Sequence, residues 1–192
     1  VTSDSGFTPP LCGAHQVSNT ATAVAALRAS GLKISDEQIR LGLPRTRWPG
    51  RFQVVGSNPV VVFDGAHNPA AATQLAATLR EQFPGKRLAF VLGVLSDKSY
   101  GEVCRILSPL AATICCTRVN SERTSDPGEL AGICRTANPQ AEVGVFENVV
   151  DAFHVAAKNE VVVITGSLFL VGEAMTQLGF GVPATPRELV LQ

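Results

Sequence analysis

The chain has 192 residues, 45% hydrophobic and 17% charged, and its 16 Lys+Arg balance 16 Asp+Glu to a formal net charge of zero. This is the size of one ordinary domain, or of a domain with an appendage, and the composition excludes a disordered or fibrous chain. With no basic surplus, nucleic acid is not the favoured partner, which leaves room only for a local basic pocket holding one anionic ligand.

Residues 1–12, with Thr, Ser, Gly and Pro, read as a connector. Residues 13–30 are Ala-rich and carry Val17, Ala21, Val24 and Leu27 at helical spacing, with Gly31 as the stop. Ser35-Asp36-Glu37 opens a short helix bearing Ile39 and Leu43, and Pro44 ends it. Two such helices are too small to bury a core of their own and must lean on another unit. The joint Leu43-Pro44-Arg45-Thr46-Arg47-Trp48-Pro49-Gly50 marks a boundary. Residues 1–47 are expected to belong to a preceding unit and its linker, and residues 48–192 to a domain of their own.

Beyond the joint, the apolar β-branched runs 52–55 and 60–63 flank Gly56-Ser57-Asn58-Pro59 and predict a hairpin. Strands are expected at 88–93, 112–117 and 161–165, with a weaker one at 142–146. Helices are expected near 70–82, 98–107, 127–136, 148–157 and 168–178. Apolar strands alternating with helices predict an α/β fold: a Rossmann-like, mostly parallel sheet with an antiparallel edge hairpin and helices on both faces. In such sheets ligands gather at the carboxyl ends of the strands, where helix amino-termini offer free N–H groups.

The five cysteines (Cys12, Cys104, Cys115, Cys116, Cys134) form no C-x-x-C pair and are odd in number, so buried reduced thiols in a cytoplasmic protein are expected. Three His and scattered Cys give no zinc spacing. No apolar run has transmembrane length and no signal peptide opens the chain, so no membrane partner is expected.

The densest candidate site is Val60-Val61-Val62-Phe63-Asp64-Gly65-Ala66-His67-Asn68-Pro69. A strand runs into Asp64, Gly65 permits a tight turn, Asn68 suits an N-cap and Pro69 the first helical position. Asp64 there accepts from ribose hydroxyls or helps hold a hydrated metal ion, and His67 bonds a base, phosphate or carboxylate. The same two residues serve equally as a turn cap and a packing ring. Arg51, at the mouth of the joint, suits a bidentate phosphate clamp, although residue type alone favours an ordinary surface arginine. Ser96 or Asp97 is expected to cap the next helix, leaving Lys98 for a carboxylate or phosphate, and Ser167 stands at the matching place after the last strand. Capping alone accounts for both stretches nearly as well. Asn120-Ser121-Glu122-Arg123-Thr124-Ser125-Asp126-Pro127, a polar loop after another strand, either lines the same cleft or is simply solvated, and the solvated reading is favoured. In Gly13-Ala14-His15-Gln16-Val17-Ser18-Asn19, Asn19 has the donor and acceptor to pair with an adenine edge, though capping or packing is the plainer role.

No G-x-x-x-x-G-K-[ST] loop is present: the lone Gly85-Lys86 is followed by Arg87. A G-x-G-x-x-G between strand and helix is absent too, as is a G-x-S-x-G elbow, against a dinucleotide-dependent dehydrogenase and that class of hydrolase.

Taken together, Gly13-Ala14-His15-Gln16 with Asn19, Trp48-Pro49-Gly50-Arg51-Phe52, Asp64-Gly65-Ala66-His67-Asn68-Pro69, Leu92-Gly93-Val94-Leu95-Ser96-Asp97-Lys98 and Thr165-Gly166-Ser167-Leu168-Phe169-Leu170-Val171-Gly172-Glu173 resemble the folylpolyglutamate synthase / dihydrofolate synthase branch of the Mur ligase superfamily. The motifs occur in the family's order, and Gly-Ala-His-Gln with Asp-Gly-Ala-His-Asn-Pro favours the folate branch over the cell-wall branch. The resemblance implies a carboxyl-terminal ligase domain at 48–192, preceded at 1–47 by the tail of an ATP-binding central domain. It implies ATP and Mg²⁺ as cofactors, with the metal ligands mainly in an amino-terminal part, and L-glutamate with folate or dihydropteroate as substrates. Asn19, Arg51, Asp64 and His67 would lie on the ATP, and His67, Lys98 and Ser167 near the glutamate. Closure about residues 44–50 would carry Arg51 into the site. The absent phosphate loop and the start at Val1 lead us to expect a fragment, inactive alone. A stand-alone nucleotide- or amino-acid-binding module and a cell-wall ligase domain are the alternatives.

Overall fold

The computed structural model describes residues 7–181, so residues 1–6 of the expected connector and 182–192 of the expected second domain lie outside the described residues. The elements run α1 (His15–Ala29), α2 (Asp36–Gly42), β1 (Gln53–Val55), β2 (Val60–Asp64), α3 (Pro69–Gln82), β3 (Leu88–Leu92), α4 (Tyr100–Leu107), β4 (Ala111–Thr117), α5 (Pro127–Ala137), β5 (Glu142–Phe146), α6 (Val149–Ala156), β6 (Val161–Thr165) and α7 (Leu168–Gln177). Six strands form one sheet in the order β1-β2-β6-β3-β4-β5, with β1 antiparallel to β2 and the other pairs parallel. The expected α/β architecture is therefore present.

Strand period two divides the core cleanly. Val62, Phe90, Ile114, Cys116 and Val163 face one way, under α3, α4 and α5. Val61, Phe63, Val91, Cys115 and Ile164 face the other, under α6 and α7. Both faces being covered explains why the central strands read as unbroken apolar runs. Because α3 leaves β2 for one face and α7 leaves β6 for the other, the chain parts at the carboxyl ends of these neighbours, where Asp64 pairs in register with Thr165.

The first two helices stand apart. Ser35 and Gln38 form a capping box that opens α2, and Phe7, Val24 and Ile39 make a small cluster of their own. Arg28 binds both carboxylate oxygens of Asp36, at 2.8 and 3.0 Å, tying α1 to α2. The buried positions of α1 are Gln16, Thr20 and Val24, a stripe that is polar at two of three places.

Two expectations change. The helix after β3 begins at Tyr100, and neither Ser96 nor Asp97 caps it: Ser96 donates its N–H to Arg123 O, and Asp97 holds cations instead. Four of the cysteines are buried, but Cys12 is exposed. No helix among the described residues is long and apolar enough to cross a membrane.

Candidate functional site

The turn after β2 is built as its sequence suggests at one end and differently at the other. Asn68 caps α3 by accepting from Ala71 N at 2.9 Å, with Pro69 next in line. Gly65 is not needed for a left-handed turn. A Cβ there would lie 2.3 Å from Leu168 Cδ2, so glycine lets the start of α7 close onto the turn. Asp64 spans two backbone segments: Oδ2 accepts from Phe52 N and Oδ1 from Ala66 N, both at 2.9 Å. Burial pushes its carboxyl above the ordinary 3.8, against the pull of these two N–H groups and, more weakly, of Arg51 and His15.

Arg51 and Asp64 line one cavity of about 230 Å³, closed by His15 and Gln16 of α1 and by the first turns of α3. A second cavity of about 390 Å³ opens on the other side of Arg51 and His15, and there Asn19 and the exposed Trp48 form the wall. A side-chain relay joins the two: Asn19 Nδ2 donates to Gln16 Oε1 at 3.0 Å, and Gln16 Nε2 meets His15 Nε2 at 3.0 Å. The Arg51 guanidinium is exposed and has no hydrogen-bond or ion-pair partner among the described residues.

His67 does not share these spaces. It lines a cavity of about 160 Å³ with Leu95, Lys98, Arg123, Ser167, Leu168 and Phe169, on the other side of the β2 turn. Its Nδ1 donates to Gly65 O at 2.8 Å, which places a proton on Nδ1 and, in the neutral ring, leaves Nε2 as an acceptor. Ser167 is the N-cap of α7, buried, its Oγ accepting from Phe169 N at 3.1 Å. Gly166 before it has φ +103, and a Cβ would lie 2.6 Å from Gly93 O, so the β6 turn can pack on the β3 turn only with glycine there. Lys98 and Arg123 both reach Asp97 Oδ2, at 3.5 and 3.3 Å. The result is a small recess with two cations, a histidine acceptor and an apolar rim.

Arg123 overturns the reading of 120–127 as a solvated loop. Thr124 bridges to Leu95, and Ser125 is buried with its hydroxyl donating to Val94 O at 2.7 Å, so the loop folds back over the β3 turn and delivers Arg123 to the recess. Sequence reasoning named His15 and Gln16 only within the Gly-Ala-His-Gln motif and gave neither a role. For Gln16 the available signal was its place on the inner stripe of α1. The expected swing about 44–50 needs revision as well. Gly65 N donates to Gly50 O at 2.8 Å, so Gly50 is fastened to the β2 turn and any hinge lies ahead of it.

The family model for "Mur ligase, glutamate ligase domain" matches residues 50–168. A probable bifunctional folylpolyglutamate synthase/dihydropteroate synthase of Haloferax volcanii is 38% identical over 170 residues, covering 87% of this chain and 20% of the relative. The Mycobacterium tuberculosis folylpolyglutamate synthase complexed with ADP and AMPPCP superposes with a TM-score of 0.84 at 33% identity, covering 92% of this chain and 42% of that one. A bifunctional folylpolyglutamate synthase/dihydrofolate synthase from Yersinia pestis, complexed with AMPPNP and Mn ion, gives a TM-score of 0.77 at 32% identity, with 91% of this chain and 41% of that one covered. The chain thus spans between a fifth and about two fifths of these relatives. By its sheet, its motifs and the extent of the match, the chain belongs to the Mur ligase, glutamate ligase domain family.

Proposed function

We propose that this chain is the closing part of an ATP-dependent ligase that joins L-glutamate to the carboxylate of a folate or dihydropteroate. The observation that carries the reading is the division of charge at one end of the sheet. The Arg51 guanidinium, unpaired among the described residues, stands beside Asp64 on one side of the β2 turn, and a recess with Lys98, Arg123 and His67 lies on the other. The first suits phosphates, the second an amino acid with two carboxylates. In the reaction the folate carboxylate oxygen attacks the γ-phosphorus of ATP and ADP leaves. The glutamate amine then attacks the acyl carbon, and inorganic phosphate departs with the carbon–oxygen bond electrons.

On this reading Asn19 pairs with the adenine edge, Arg51 reaches the phosphates and Asp64 stands behind Arg51 on the phosphate side. Lys98, Arg123 and the Ser167 hydroxyl hold glutamate carboxylates, and His67 Nε2 accepts from the amine. His67, expected on both ligands, belongs to the amino acid alone, because its cavity is the one with Lys98 and Ser167. Among the described residues no group of three or more His, Cys, Asp or Glu converges to hold a metal ion. On this reading the Mg²⁺ ligands lie mainly in an amino-terminal part of the protein.

Residues 1–47 are read as the tail of a preceding ATP-binding domain, with 48–192 as the ligase domain. Exposed Leu32, Ile34 and Leu41 on the first segment suit contact with such a domain. Closure of the two would exclude the water that otherwise hydrolyses an acyl phosphate. Four buried free thiols fit a reducing cytoplasm.

A nuclear magnetic resonance titration of this chain tests the reading. ADP should shift amides around 50–66, and L-glutamate those around 96–99, 121–125 and 166–169. Arg51→Ala should weaken ADP by roughly tenfold, the scale of a charge-assisted pair. Absence of any localised shift with both ligands at millimolar concentration would overturn it.

A further inference from the structure

We propose that Asp64 acts as a positioning residue for Arg51, holding the backbone of Phe52 in a left-handed step that keeps the guanidinium on the wall between the two nucleotide-side cavities. The identity of the ligand rests on the function proposed above; the positioning itself does not.

Phe52 has φ 42, the one positive value at a residue other than glycine among the described residues. A bulky side chain resists that conformation, so something must hold it. The structure supplies a restraint on each side. The Phe52 ring is buried and stacked on Phe83, with centroids 6.3 Å apart and planes at 22°. Its N–H is held by Asp64 Oδ2 at 2.9 Å. One residue before Arg51, Gly50 O accepts from Gly65 N at 2.8 Å and Gly50 N donates to Gln53 Oε1 at 3.1 Å. Arg51 thus sits in a strap pinned before and after it, its own N–H donating to Trp48 O at 3.3 Å. With no partner for its guanidinium among the described residues, the strap alone sets where it stands.

The carboxylate is suited to this task and its near relatives are not. Its two oxygens answer two backbone donors, Phe52 N and Ala66 N, that belong to different turns. Asparagine offers one acceptor and would set its NH₂ against the other N–H, and alanine offers none. Loss of the bond to Phe52 leaves the strained step unsupported. The backbone then relaxes toward negative φ, and Arg51 swings off the cavity wall.

A double-mutant cycle on the 192-residue chain distinguishes this role from direct contact between Asp64 and a ribose. ADP and adenosine are titrated against the wild type, Asp64→Ala, Arg51→Ala and the double variant. Positioning predicts that D64A weakens ADP about as much as R51A, roughly tenfold, leaves adenosine binding unchanged, and adds nothing in the R51A background. If D64A weakens adenosine as well, or its effect multiplies with that of R51A, the proposal is overturned. If neither nucleotide binds the wild type, the functional reading fails, and the positioning is judged by hydrogen exchange instead. The Phe52 amide should then exchange at least about tenfold faster in D64A while the Phe90 amide is unaltered, the size expected for losing one charge-assisted bond. Unchanged protection at Phe52 overturns the proposal. Should D64A not fold, the isosteric Asp64→Asn is read by the same comparisons.

Discussion

The sheet and the first two helices are held by different means. In the sheet, Val62, Phe63, Phe90 and Ile164 are at 0–1% exposure, and helices cover both faces. The pair α1–α2 has Phe7, Val24 and Ile39 at its centre and otherwise relies on a salt bridge, a capping box and two arginines over the Phe7 ring, at 5.8 and 5.6 Å. Its inner stripe carries Gln16 and Thr20 where a packing helix would carry leucine. The lesson is that α1 is shaped to furnish polar groups to a cavity rather than to bury area. A rigid half of the nucleotide side is thereby paired with a loosely held half.

The comparison breaks most visibly in the sheet. Phe90→Ala should cost about 3–5 kcal/mol, measured as a shift of the main denaturation midpoint, because the ring is enclosed and its cavity cannot collapse. A smaller and differently distributed loss is expected from Ile39→Ala, about 2 kcal/mol or less. It should appear as faster hydrogen exchange in α1 and α2 with little change in the main transition. If exchange rose evenly through the sheet, the two regions would be one cooperative unit and the contrast between them would fall.

The smallest effect concerns Asp64, which lies where the regions meet. Its carboxyl is raised above 3.8 by burial, so the folded state binds the proton more tightly than the unfolded chain. Its contribution is then fully present below about pH 4, the unfolded value, and is lost as pH climbs through the higher folded value. Measured by urea denaturation between about pH 4 and 7, the wild type should lose ground relative to Asp64→Asn as pH rises. A gain instead would mean that the two N–H bonds outweigh burial.

Much of the sheet was legible because its strands are apolar on both faces and its helices carry local start signals such as Asn68-Pro69 and Asp126-Pro127. The neighbours of Asp64 on the strap were half legible: Arg51 stood out by type, but nothing local announces that Phe52 takes a left-handed step. That conformation follows from a bond to a residue 12 positions away. Arg123 was missed for a similar reason. Its loop is polar throughout, and bonds to a distant turn fold it inward, among them the buried Ser125–Val94 bond, 31 positions apart in the chain, and the Thr124–Leu95 bridge. His67 was placed with Arg51 on the ATP by the family resemblance, whereas it lines a separate cavity with Lys98 and Ser167. Contacts across the chain, not local pattern, decided all three.

Among the described residues the last strand to be made, β6, lies between β2 and β3. Until residues 161–165 have left the ribosome, the earlier strands can form only a β1–β2 ribbon and a separate β3–β4–β5 sheet, each with a bare apolar edge. Those edges invite pairing with other nascent chains, so the interval before β6 emerges is when this protein most needs a chaperone's shelter. A nonsense mutation just before Val161 would yield two part-sheets without the strand that pairs with both.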